Sequence, residues 1–268
     1  GIDLFSTDDI HSLGRMADYK KKMISGDKVF FVLNRHINPT NICVLSCSFC
    51  DFAKKQGDSG AYEMSIDEIL GSIDEEMHEV HIVGGHHPTW KFEYYEEIVK
   101  SIHQKYPKLL IKGFTAAEID YFYRRWKIDP EESLARLKEA GLSTMPGGGA
   151  EVFSQRVHKM LLPGKSNASR WQEIHRMAHN QGIKSNCTML YGHIETIEER
   201  VDHLIQLRSL QDETGGFLAF IPLQYQTGTT QLTDHPATPI DDLKMIAVAR
   251  LMLDNIDHIK AYWVTIGG

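Results

Sequence analysis

Three cysteines, Cys43, Cys47 and Cys50, fall within the ten-residue segment NICVLSCSFC (41–50). Their spacing, C-x3-C-x2-C, puts three thiols on one short loop. Three thiolates can bind three corners of a cubane iron–sulfur cluster and leave the fourth iron open, whereas electron-transfer clusters normally take a fourth protein thiolate. An open iron calls for a ligand from outside the protein. Tetrahedral zinc also takes thiolates, but a structural zinc site is closed by a fourth ligand, commonly a second Cys pair or a His at short spacing. Cys187 is remote from the other three and reads as a small buried core residue. A secreted disulfide scaffold would be shorter and richer in cysteine than 268 residues with four. Clustered thiols point instead to metal or redox chemistry, in a chain expected in the cytoplasm.

The rest of the composition narrows the class. The chain is 42% apolar and 24% charged with a formal net charge of −7, and no Lys/Arg block is long enough to track a phosphate backbone, so nucleic acid is not an expected partner. The longest strongly apolar stretch, FLAFIPL (217–223), is far too short to span a bilayer. The opening GIDLFSTDDI lacks the basic-then-apolar order of a signal peptide, and the leading Gly1 is read as a missing or processed start.

The elements that must position the thiols alternate along the chain. Strand-like runs are HINPTNIC (36–43), EVHIVGG (79–85), LLIKGFT (109–115), LSTMPGGG (142–149), IKSNCTMLYG (183–192), GGFLAFIPL (215–223) and HIKAYWVTI (258–266). Helical patterns lie between them. Ser65 and Glu68 have capping-box spacing ahead of Ile66, Ile69, Leu70, Ile73 and Met77. A second helix is read over 92–105. Asp129 and Pro130 read as N-cap and first helical residue of a third, which ends near Gly141. Ser169 and Gln172 read as the cap of a fourth, Thr196 and Glu199 open a fifth, and Thr238 and Pro239 a sixth. Seven strands with six interposed helices predict an α/β fold, a parallel sheet closed or partly closed into a barrel. A doubly wound open sheet is the competing arrangement. The division is read as a helical lead-in over 1–30 and a barrel core over 31–268, with the C-terminal part of the protein absent. Barrel chemistry sits at the carboxyl ends of the strands, and those ends carry the unusual residues here.

The cysteine spacing, with aromatic Phe49 directly before the last Cys, resembles the signature of the radical SAM superfamily. The segments VGGHHP (83–88), FTAAEI (114–119), MPGGGAEVF (145–153), TMLYGHIET (188–196) and DETGGFLAFIPL (212–223) narrow the likeness to the aminodeoxyfutalosine synthases of menaquinone biosynthesis. The sibling family, the cyclic dehypoxanthine futalosine synthases, shares several of these segments and stands as the alternative. An electron-transfer or structural metal module is the alternative from another class. The resemblance implies a full or partial α/β barrel. It implies a 4Fe–4S cluster on Cys43, Cys47 and Cys50, with S-adenosylmethionine chelated at the open iron and consumed as co-substrate. The implied reaction adds the 5′-deoxyadenosyl radical to the enol-ether double bond of 3-[(1-carboxyvinyl)oxy]benzoate, with aryl migration and loss of the enol-ether carboxyl. The product is 6-amino-6-deoxyfutalosine, and a flavodoxin or ferredoxin is the expected electron donor.

On that footing Phe49 belongs near the adenine, and Gly84 and Gly85 let the backbone approach the methionine amino group. Either glycine also serves any tight turn. Glu118 and Glu151, with Gly149 beside the latter, are candidates for the ribose hydroxyls or the ammonium. Glu118 also stands where an acid complements a helix N-terminus. Asn186 is a further candidate for the cofactor. The substrate carries two carboxylates, and His86, His87, Thr115, Thr188 and Tyr191 are the candidate groups facing it. His193 and Glu195 read as an acid–base pair for proton transfer. Period-two alternation puts Asn186 and Thr188 on one face of their strand without saying whether that face is the lumen.

Overall fold

The computed structural model describes residues 1–228, 230 and 232–262. Seven parallel strands pair in chain order. They are β1 (Asn34–Ile37), β2 (Glu79–Ile82), β3 (Leu110–Gly113), β4 (Thr144–Met145), β5 (Lys184–Tyr191), β6 (Phe217–Gln224) and β7 (His258–Ile259). β1 and β7 are the two edges, so the sheet is a half-barrel. A right-handed crossover that always steps in the same direction leaves its helix on the same side. Strand order 1 to 7 without reversal therefore places the crossover helices on one face, and the doubly wound alternative, which needs a reversal of order, is excluded.

Two helices, α1 (Ile2–Ser6) and α2 (Ile10–Ser25), precede the sheet. The crossover helices are α3 (Ile66–Gly71), α4 (Phe92–Lys105), α5 (Ala116–Trp126), α6 (Pro130–Ala140), α7 (Gln155–Leu161), α8 (Ala168–Asn180), α9 (Ile197–Thr214) and α10 (Pro239–Met252). Local chemistry sets their starts. Ser65 with Glu68, Thr115 with Glu118, Thr196 with Glu199 and Thr238 with Asp241 each close a reciprocal capping box. Asp129 caps α6, with Pro130 at its first turn.

Some elements differ from the sequence expectation. The connections β3–β4 and β4–β5 each hold two helices, because Thr115 caps α5 just after β3 and Ser154 caps α7 after the glycine turn that follows β4. Helix α3 stops at Gly71, so Ile73 and Met77 fall in the following turns although Ile73 still packs in the core. The cap of α8 is Asn167, whose side chain accepts from Arg170 N, not Ser169. The last strand is described only through His258 and Ile259, and residues 263–266 of the expected run lie outside the described residues.

The core lies between the outer face of the sheet and the helices. Val80, Ile82, Ile111, Met145, Cys187 and Met189 are fully buried there, and Cys187 is the core residue the sequence predicted. Helices α1 and α2 pack Phe5 and Leu13 into this core. They tie to the far end of the chain through Lys244 Nζ donating to Phe5 O and a 2.9 Å ion pair of Lys20 with Asp254. No helix among the described residues is long and apolar enough to cross a membrane.

Candidate active site

The inner face of the half-barrel lines a cavity of about 350 Å³ that reaches the carboxyl ends of β1 to β5. Cys43, Cys47 and Cys50 open onto it from one side. Their loop is held almost entirely by backbone bonds. Cys43 N donates to Lys54 O and Val44 N to His86 O, and Ser48 N donates to Leu161 O. Asn41 Nδ2 donates to Gly60 O, and Lys55 Nζ donates to the carbonyls of Cys43 and Leu45 at 2.9 and 2.7 Å. The N–H of His86 donates to Cys43 Sγ at 3.3 Å.

All three cysteines are free and half-buried. Among the described residues no three His, Cys, Asp or Glu side chains converge as they would around a single ion. Three free thiols on one cavity wall are the donors a cubane takes, each thiolate on a different iron. The N–H bond to Cys43 Sγ is the kind of contact that tunes such a cluster. The donor set therefore fits an iron–sulfur cluster with three protein ligands.

The glycines opposite the loop are required by crowding. A Cβ on Gly85 would lie 2.1 Å from the carbonyl oxygen of Ile42, and one on Gly147 would lie 2.5 Å from Cys187 Cα. Gly149 has φ +116°, which L side chains rarely adopt. Thus Gly85 admits the neighbouring cysteine loop, a cause not anticipated from the sequence. Gly84 N donates to Glu118 Oε1 at 3.2 Å.

Glu118 caps its helix and also reaches the cavity. Its Oε2 accepts from Thr115 N and Oγ1 in the capping box, while the side chain lines the cavity. Burial pushes its pKa up to about 7, against the hydrogen bonds from Thr115 and Gly84. Glu151, with φ +58°, forms a 2.9 Å ion pair with Lys165. Lys165 was not singled out in the sequence, yet it lines the cavity with its ammonium 5.5 Å from the centre of the Phe49 ring. Burial lowers its pKa, but Glu151 and the Cys47 sulfur outweigh this and hold it charged. The signal was faint: one lysine after a glycine in the turn LPGKS (162–166).

The structure brings together Phe49, Gly84, Gly85, Glu118, Gly149, Glu151, Asn186, His86, Thr115 and Thr188 on the cavity wall. The ambiguity on β5 is resolved by burial: Asn186 and Thr188 face the lumen, and Cys187, Met189 and Tyr191 face the helices. His86 is buried and stacks on Tyr121 at 4.7 Å, and its Nδ1 has no hydrogen-bond partner among the described residues. Burial lowers its pKa to about 3, so the ring is neutral.

Four expected residues are placed elsewhere. His87 turns away from the lumen. Its Nε2 bonds Glu63 Oε1 at 2.9 Å and its Nδ1 accepts from Trp90 N. Tyr191 lies on the outer face of β5 and donates its hydroxyl to Asp242 at 2.6 Å. His193 and Glu195 are in contact at 3.1 Å, but both side chains are buried away from the cavity. Glu195 accepts from the N–H groups of Gly192 and His193 and pairs with Arg200, while His193 Nε2 lies 3.1 Å from Leu190 O. The pair knits the turn after β5.

Comparison with known proteins agrees with this architecture. Residues 37–207 match the radical SAM superfamily, and residues 214–268 match the CofH/MqnC C-terminal region. Two similar curated relatives are named aminodeoxyfutalosine synthase. The one from Thermus thermophilus is 44% identical, over 99% of this chain and 74% of its own length. That from Streptomyces coelicolor is 40% identical, over 100% of this chain and 73% of its own length. A cyclic dehypoxanthine futalosine synthase from Streptomyces coelicolor is 38% identical, over 99% of this chain and 69% of its own length. Among solved structures, methylornithine synthase superposes with a TM-score of 0.76 at 20% identity, covering 95% of this chain and 72% of that one. With three thiols on one loop, a half-barrel behind them and a sequence match through most of the sheet, the chain belongs to the radical SAM superfamily.

Proposed function

We propose that this enzyme adds a 5′-deoxyadenosyl radical to the enol-ether double bond of 3-[(1-carboxyvinyl)oxy]benzoate, with aryl migration and loss of the enol-ether carboxyl as carbon dioxide, giving 6-amino-6-deoxyfutalosine and methionine. The carrying observation is the 44% identity to an aminodeoxyfutalosine synthase over 99% of the chain. In this reading Cys43, Cys47 and Cys50 hold a 4Fe–4S cluster. When bound, that cluster would take S-adenosylmethionine as a chelating ligand at its open iron and would supply the electron that cleaves it.

The protein's own part is placement. Phe49 offers an aromatic face beside the thiol loop. Gly84 and Gly149 keep the wall free of side chains where the cofactor must approach. Glu118, Glu151 and Asn186 are the polar groups within reach of its ribose and ammonium. The Lys165 ammonium, already engaged by Glu151, keeps the charge near the thiolates balanced. His86, Thr115 and Thr188 face the substrate, and the closed outer wall of Cys187, Met189 and Tyr191 keeps water from the sheet side. A flavodoxin or ferredoxin supplies the reducing electron.

The test is anaerobic reconstitution followed by incubation with reductant, S-adenosylmethionine and the enol-ether benzoate, with products read by mass spectrometry. A product containing the intact adenosyl group is expected. The sibling cyclase activity is the second reading, favoured by the 38% identity to a cyclic dehypoxanthine futalosine synthase. It would show instead as cyclisation of dehypoxanthine futalosine with release of 5′-deoxyadenosine.

A further inference from the structure

Below the thiol loop the inner face carries a second set of polar groups that the cofactor does not account for. His36, His81, Lys112 and Thr144 are register partners on four successive strands and form one rung across the sheet. The rings of His36 and His81 stack, with centroids 4.6 Å apart and planes 7° from parallel. Both line the cavity together with Lys112 and, from beyond β7, Lys260. Two polar atoms of the rung, His81 Nε2 and Thr144 Oγ1, are buried without a hydrogen-bond partner among the described residues. A buried donor or acceptor left unmet is destabilising.

The charges of this floor do not cancel. Lys112 Nζ sits 2.7 Å from Glu79 Oε2, and that pair is neutral as a unit. Burial holds both imidazoles in the neutral form, His81 with a pKa near 3. Lys260 lies with its ammonium 5.8 Å from the centre of the Tyr262 ring, and the one carboxylate acting on it, Glu79, is already in direct contact with Lys112. Burial and then the nearby Lys112 depress its pKa, against the attraction of Glu79. Two ammonium groups against one carboxylate, and the unmet His81 Nε2, thus share a chamber whose remaining walls include Val83, Ile221 and Leu223. A flat apolar ring bearing one carboxylate meets every one of these demands.

We propose that this floor binds the ring carboxylate of the substrate, with Lys260 as its ion partner and His81 as a hydrogen-bond donor. The inference rests on the enol-ether benzoate reading and adds the orientation of that substrate. Three residues separate His81 from Gly84 on β2 and Lys112 from Thr115 on β3. At ~3.3 Å per residue the floor lies roughly 10 Å below the rim. An aryl ring anchored there projects its ether substituent toward the thiol loop, where the adenosyl group must arrive.

The experiment measures equilibrium binding to the reconstituted holoenzyme of 3-methoxybenzoate and of its uncharged isostere, 3-methoxybenzamide. The carboxylate is expected to bind about tenfold or more tightly than the amide, since hydrogen bonds to a charged group are the stronger class. Lys260→Met should equalise the two ligands, and Lys260→Arg should restore the preference, which separates ion pairing from a general loss of structure. No preference in the wild type, or a preference retained in Lys260→Met, overturns the proposal. Binding is read without turnover. A holoenzyme that selects the carboxylate but never adds adenosine to the enol ether refutes the proposed function alone, and one that turns over without selectivity refutes the floor alone.

Discussion

At the rim of the cavity the chain positions its chemistry mostly with backbone; at the floor, lower on the same strands, it uses side chains. The cysteine loop is fixed by main-chain bonds, by Lys55 on two carbonyls and by glycines that admit the neighbouring loop. The floor is a rung of His36, His81 and Lys112 set by strand register and closed by Lys260. Such a division suits a superfamily that keeps one cofactor and changes its substrate. A backbone-built rim is insensitive to most substitutions except at its glycines and thiols. A floor made of exchangeable side chains can be rewritten without disturbing it.

The largest effect that would sharpen this contrast is loss of a thiol. Cys47→Ala should abolish turnover and sharply reduce bound iron, because three ligands cannot spare one. Retained product formation would contradict the cluster assignment. Next in size is the rim backbone. Gly85→Ala puts a methyl against Ile42 O and should cost about 3 kcal/mol together with iron retention. Gly148→Ala meets only Thr115 Cγ2, at 3.6 Å, and should be tolerated. Equal behaviour of the two variants in thermal unfolding and iron analysis would break the account of the rim.

Glu118 gives a pH-dependent test. Its folded pKa of about 7 lies above its ordinary 4.5, so the folded chain holds this proton more tightly than the unfolded chain. The residue's contribution is therefore most favourable below pH 4.5 and is lost as the pH rises toward 7. The change over that window is on the order of 2–3 kcal/mol. Denaturant midpoints of wild type and Glu118→Gln, measured at pH 5 and pH 8, should differ in slope by that amount, and parallel curves would remove the effect. The smallest change is expected on the outer face of the sheet. Tyr191→Phe loses the bond to Asp242 and should cost about 1 kcal/mol of stability with turnover intact. A large fall in kcat would return Tyr191 to the active site.

The same contrast explains what could be read from the sequence. The thiol spacing and the glycine-ended strands are local patterns, and the alternation of strands and helices is enough to specify the fold class. His193 and Glu195 looked like an acid–base pair because they are adjacent, but Arg200 and two N–H groups claim the carboxylate once the turn closes. His87 looked equivalent to His86, and only the direction of the chain after β2 sends one into the lumen and the other to Glu63. The floor was invisible for a different reason. Residues 36, 81, 112 and 260 are far apart in sequence and meet only through sheet register, and strands of two to four residues are too short for alternation to reveal their inner face.

The central claim is an iron corner left open for S-adenosylmethionine. Its most direct test is electron paramagnetic resonance of the reduced, reconstituted protein before and after addition of S-adenosylmethionine labelled with nitrogen-15 at the amino group. The account predicts a 4Fe–4S spectrum that changes on addition and gains a hyperfine coupling to the labelled nitrogen. An unchanged spectrum with no coupling would contradict it.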